Sequence, residues 1–289
     1  MSRGMTMRQP DPILVSHLFR ELHGHLLVLL RSLTSDDWHR PTVCSAWCVK
    51  DIASHLLDGD LRRLSIQRDG YAPPDAPTGF DSHEALVAYL TTLNADWTIA
   101  TRRISPRNLI RLLEASGEEV AELFESADPF GPATFPVGWA GESQSLMWFD
   151  IAREYTERWH HQRQIALAVG WQTPIDGRRL YHPVLDAFLR ALPFTYRGVE
   201  APEESVVAVT VVGEAGGDWF VRKQGDGWTL VQAVAGPPTS RVGMGQSDAW
   251  RLFTKRTDRA TARAQFPGIR IEGDIPLGER ALEMVSIMA

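Results

Sequence analysis

Glu157 and His161 stand four residues apart in a stretch with helical character, EYTERWHHQRQIALAVG (154 to 170). That interval puts both side chains on one helix face with Cβ atoms about 6 Å apart, close enough for a carboxylate and an imidazole to share one metal ion. The adjacent His160 projects about 100° away and is expected to meet a neighbouring surface instead. A solvated Glu–His contact is common at this spacing, so the pair alone decides nothing. His55 adds weight. It interrupts the apolar stripe of Ile52, Leu56 and Gly59, so it is expected to face an interior where its ring needs a polar partner. Helical bundles build metal sites from such inward ligands on facing helices.

A set of His55, Glu157 and His161 would leave a divalent ion with a net charge of about +1 and an open coordination position. Structural zinc sites are normally closed by protein ligands, so an open one is of the catalytic type. It can lower the pKa of a bound water or thiol and polarise a carbonyl. His55→Ala and His161→Ala are each expected to abolish metal retention, whereas His160→Ala leaves it largely intact.

Gln164, one turn past His161, is a candidate for orienting that ring. Glu154 reads as a fourth ligand or, more simply, a salt-bridge partner. His17 and His25 lie at the edge of an apolar helix face, and His23, His39, His83 and His182 carry no spacing signal. Cys44 and Cys48 are the only cysteines, too few for a disulfide framework, and read as small buried hydrophobes. The ten tryptophans read as core and pocket walls rather than a platform for stacking bases.

Elements that could hold these residues are legible. Leu14, Leu18, Leu22, Leu26, Leu29, Leu30 and Leu33 trace one face of a first helix over 13–33. A second helix begins near Val49, with Asp51 placed to serve its exposed amides. The proline-rich YAPPDAPTG (71 to 79) is a loop. Helices are expected over 82–104, over 106–126 behind the Ser105–Pro106 cap, and over 143–169 up to Gly170. Beyond, the β-branched and aromatic runs 206–212, 219–223 and 228–234 read as strands, with helices over 247–253 and 275–287. The expected architecture is therefore a four-helix bundle over 10–172 and a smaller α+β domain over 178–289.

Composition limits the possible functions. With 289 residues, two domains are the better expectation. A net charge of -6 argues against a nucleic-acid binder. No apolar run approaches the roughly 18 residues that span a bilayer, and the N-terminus lacks a signal-peptide pattern, so a cytoplasmic protein is expected. Of 30 basic residues only Lys50, Lys223 and Lys255 are lysines, a bias that no folding requirement explains and that a GC-rich coding sequence would.

The stretch WHRPTVCSAWCVKDIASHLL (38 to 57) and the segment 154–170 together resemble the two signatures of the mycothiol-dependent maleylpyruvate isomerase family, within the DinB-like metal-binding superfamily. Near the C-terminus, IEGDIPLGERAL (272 to 283) is similar to that family's second domain, whose fold resembles sterol carrier proteins. The resemblance implies His55, Glu157 and His161 as ligands, a zinc-type divalent ion, and mycothiol, the thiol of actinobacteria, bound at the open position as thiolate. Two departures stand out. Cys48 replaces the usual threonine N-cap, so a different helix start is expected, and Gln164 replaces an aspartate three residues after the histidine.

The leading expectation is an isomerase or S-transferase that uses metal and thiol on a small anionic or electrophilic substrate, as a monomer or homodimer without nucleic-acid or membrane partners. Arg222 and Arg241 are candidate contacts for a substrate carboxylate. The alternatives are a hydrolase or lyase using bound water, and a non-catalytic metal- or ligand-binding stress or sensor protein.

Overall fold

The structure is a computed structural model that describes residues 8–74, 76–77, 79–254 and 258–287; the side chain of His83 lies outside the description. Helices occupy residues 16–195, and a five-stranded sheet follows. The chain divides into two compact units. One comprises Leu14–Thr134 and Glu157–Ile175; the other comprises residues up to Ile13, Phe135–Thr156 and those from Asp176 onward.

The helical unit contains α1 (Phe19–Ser32), α2 (Val49–Arg63), α3 (His83–Thr101), α4 (Pro106–Ser126) and the second half of α5 (Met147–Val169). Its apolar spacing is used as expected: Leu26, Leu29 and Leu30 of α1 pack with Ile52, Ala53 and Leu56 of α2, Leu109 and Leu113 of α4, and Ile165 of α5. Leu14 precedes α1 and is exposed. Ser105 caps α4 by accepting from Asn108 N. Cys48 does not displace the start of α2, because the Asp51 carboxylate accepts from both Cys48 N (3.1 Å) and Cys48 Sγ (3.2 Å). The acid at the third helical position supplies one half of a capping box, and the Cys48 sulfur, facing the Asp51 amide, stands where a threonine hydroxyl would supply the other.

A polar network crosses this apolar interior. Arg158 of α5 donates to the Asp60 carboxylate of α2, which also accepts from Ser116 Oγ of α4 at 2.7 Å. Arg158 Nη1 reaches His23 Nδ1 of α1 at 3.2 Å. Gly117 makes room for that ring, since a Cβ at 117 would land on it. Burial first, then the Arg158 and Arg31 charges, push the His23 imidazole down to about 3. Between its ordinary value of 6.5 and about 3, the unfolded chain takes up a proton that the folded ring refuses. The stability contribution is therefore intact above pH 6.5 and is lost as pH falls below it, with a slope of at most about 1.4 kcal/mol per pH unit. Urea unfolding at several pH values between 7 and 5 measures this slope, and His23→Gln is expected to make it shallower by about that amount. Equal slopes in the two proteins would contradict the assignment.

The other unit contains the first half of α5, α6 (Arg178–Leu189), the short α7 (Leu192–Thr195), β1 (Val206–Val212), β2 (Gly217–Gln224), β3 (Gly227–Val231), β4 (Ser240–Gly245), α8 (Gln246–Phe253), α9 (Arg259–Gln265), β5 (Arg270–Gly273) and α10 (Ile275–Glu279). The strand order is β3-β2-β1-β4-β5, with β1 and β4 parallel and the other neighbours antiparallel. β1, the valine-rich run, lies at the centre, which suits a strand apolar on both faces. The β2–β3 hairpin turns through Gly225 and Asp226; Gly225 has φ 52°, a conformation that favours glycine. The helix expected over 275–287 is interrupted: α10 stops at Glu279, a 3-10 turn covers Arg280–Glu283, and Met284 is extended. Ser286 explains the departure, because its N donates to Phe253 O and its Oγ to Phe188 O, bonds that a continuing helix would forgo.

Candidate metal centre

His55 sits in the middle of α2, and Glu157 and His161 lie one turn apart on α5. Both helix segments belong to the same unit. One ligand atom from each of the three residues falls within 4.8 Å of the others, the only such trio of metal-capable groups among the described residues. His161 Nε2 is 3.4 Å from Glu157 Oε2. The His55 and His161 rings meet edge to face with centroids 4.8 Å apart, and Trp47 lies against His55 at 4.8 Å and near His161 at 6.1 Å. His161 is buried, while His55 and Glu157 keep partial exposure.

Electrostatics favour a neutral His55 imidazole. Desolvation holds His55 well below its usual range, reinforced by His161, Arg62 and His160. Its Nδ1 is buried and has no hydrogen-bond partner among the described residues. An unpaired buried nitrogen costs about 1–3 kcal/mol. His160 is also held well below its usual range, by burial and then by His161.

Gln164 joins the two neighbouring histidines: its Oε1 lies 2.9 Å from His161 Nδ1 and its Nε2 lies 2.9 Å from His160 Nε2. Residue 164 is one turn beyond both, so its amide reaches each ring. The sequence turned His160 towards a neighbouring surface and gave it no link to Gln164, which this contact supplies. His160 is buried and tied to the site through one amide. Spacing permits the link, since 160 and 164 are four apart, but does not decide it.

The remaining candidates lie elsewhere. Glu154 is ion-paired with Arg153 at 3.9 Å. His17 is exposed and His25 partly buried, and neither joins the trio. Cys44 and Cys48 are free and partly buried, and desolvation raises both thiols, as befits inert side chains. Arg222 of β2 pairs with Glu204, and Arg241 of β4 with Asp218 at 3.0 Å. Both arginines belong to the sheet-containing unit and His55, Glu157 and His161 to the helical one. A cation that sequence reading passed over, Arg62, lies two turns after His55 on α2. It contributes to lowering that imidazole, and bonds to Asp58 at 3.0 Å.

The family model of the mycothiol maleylpyruvate isomerase N-terminal domain matches residues 19–166, which include all three candidate ligands. The chain belongs to this family. Two solved structures, a mycothiol-dependent maleylpyruvate isomerase and a histidine-to-alanine mutant of it, align with TM-scores of 0.52 and 0.51. Each alignment covers 90% of this chain and 93% of the other at 12% identity, a likeness that carries the two-part fold alone. Maleylpyruvate isomerases are enzymes. No curated protein sequence matches the chain.

Proposed function

We propose that this member of the maleylpyruvate isomerase family is a metal- and mycothiol-dependent isomerase or S-transferase acting on a small anionic or electrophilic substrate, with His55, Glu157 and His161 holding a divalent ion, zinc in the first instance. The observation that carries the reading is the approach of three ligand atoms to within 4.8 Å, from two helices. The residues fit an ion on physical grounds. The orphaned His55 Nδ1 marks a ring left short of a partner, and two imidazoles with one carboxylate are a zinc-type donor set.

A bound ion would supply a Lewis-acid position at which a thiol is held as thiolate. The chain's own part is to present and shield that position. With Oε1 turned towards His161, Gln164 accepts a hydrogen bond from Nδ1–H, an arrangement that leaves Nε2 free to ligate, and Trp47 covers the two rings. Arg62 offers positive charge close to His55, suited to the carboxylate of an anionic substrate or thiol. A thiol cofactor and two free cysteines fit a reducing, cytoplasmic setting. No helix among the described residues is long and apolar enough to cross a membrane.

Elemental analysis of the purified protein, followed by turnover of maleylpyruvate with and without mycothiol, tests the reading. Stoichiometric metal and thiol-dependent turnover abolished by chelation are expected. Turnover independent of thiol would indicate a water-using hydrolase or lyase, and a protein with no affinity for divalent ions would indicate a binding module.

A further inference from the structure

Two adjacent histidines cannot both serve one helix face, yet both are buried here and both touch Gln164. An amide has one accepting end and one donating end, so a side chain bonded at both ends transmits direction. With Oε1 towards His161, Gln164 accepts a proton carried on His161 Nδ1, and its NH2 group donates to His160 Nε2. The reversed amide is also self-consistent: His160 Nε2–H would donate to Oε1, the NH2 group would donate to His161 Nδ1, and the His161 proton would move to Nε2. That nitrogen lies 3.4 Å from Glu157, so the reversed chain puts a proton where the ion must bind.

We propose that His160 is a positioning residue for the metal centre: by accepting from Gln164 at its own Nε2, it fixes the amide direction that keeps His161 Nε2 unprotonated and available. The inference rests on the metal-centre reading above. It gives the second histidine of the pair a role without making it a ligand. It also refines the expectation that His160→Ala leaves metal retention largely intact.

Zinc affinity measured against a chromophoric chelator, with long-range 15N–1H correlation spectra of the histidine rings in zinc-loaded protein, tests it. His160→Leu, which cannot accept, is expected to weaken zinc binding about tenfold, the lower end of what outer hydrogen-bond partners contribute. His160→Gln keeps an acceptor at similar reach and is expected to restore most of that loss. In a Gln164→Glu background both ends of residue 164 accept, no direction remains to be set, and adding His160→Leu is expected to change affinity by less than about twofold. The zinc-loaded wild type is expected to show His160 neutral, with its proton on Nδ1 and Nε2 bare.

His160 found protonated at Nε2 with zinc bound would overturn the proposal, as would a folded His160→Leu protein with unchanged affinity. Where His160→Leu does not fold, the wild-type spectrum decides alone. A wild type with no affinity for zinc would instead overturn the metal-centre reading, and is distinguishable because no variant is needed to see it.

Discussion

Alanine at position 55 or 161 is expected to remove the metal, with zinc affinity falling by more than the roughly 10–100-fold that loss of an outer hydrogen bond costs. On the proposed reading each imidazole is one of three protein donors, and a two-ligand remnant holds a divalent ion poorly. The two substitutions should act alike although they lie on different helices, because the ligand atoms converge within 4.8 Å. The fold should tolerate both, since neither ring belongs to the apolar cluster. Zinc binding only the folded state raises the wild-type melting temperature in proportion to the logarithm of its concentration. His55→Ala and His161→Ala should show no such rise while keeping the wild-type circular dichroism spectrum. A zinc-dependent rise that survives in both would place the ion elsewhere.

The second large effect concerns the residue beside Glu157. Arg158→Leu is expected to destabilise the protein by about 3–5 kcal/mol, because it removes the Arg158 guanidinium from the buried Asp60 carboxylate. Ser116 Oγ still donates to Asp60, but a neutral hydroxyl compensates less than a charged fork. His23 also loses the donor at Nδ1. Replacing both members of the pair by apolar residues of similar volume should recover much of the loss, since the desolvation cost leaves with the charges. Urea unfolding measures both proteins. A single-variant loss below about 1 kcal/mol would show that the pair contributes no more than an exposed one.

Much of the site was legible because helix periodicity converts spacing into geometry. A histidine interrupting an apolar stripe and an i,i+4 Glu–His pair fixed which faces turn inward, and the trio formed from them. Helix starts were equally plain where the signal is local, as at Ser105–Pro106 and Asp51. What spacing could not show was the orientation of an amide. The His160–Gln164–His161 chain depends on which rings are buried together, and a surface histidine would give the same pattern. His23 carried no signal, because a polar residue within a leucine-rich face looks like an imperfection until Arg158, Asp60 and Gly117 close around it.

In the sheet, β1 to β3 announced themselves by β-branched and aromatic runs, whereas β4 and β5 did not. β4 contains Gly243 and Gly245 and is a strand because it pairs in parallel with β1, a long-range contact that local propensity does not encode. β5 is four residues long at the sheet edge. Helix α6 carries Pro183, which reads as a break, yet Leu180, Tyr181, Val184, Leu185 and Phe188 still bury one continuous face.

The account rests on where an ion binds. X-ray absorption at the zinc edge, on the zinc-loaded protein without added thiol, measures this most directly. Imidazole nitrogen and carboxylate oxygen at about 2.0–2.2 Å, with no sulfur shell, are predicted. A sulfur shell near about 2.3 Å would put the ion on Cys44 or Cys48 and contradict the site at His55, Glu157 and His161.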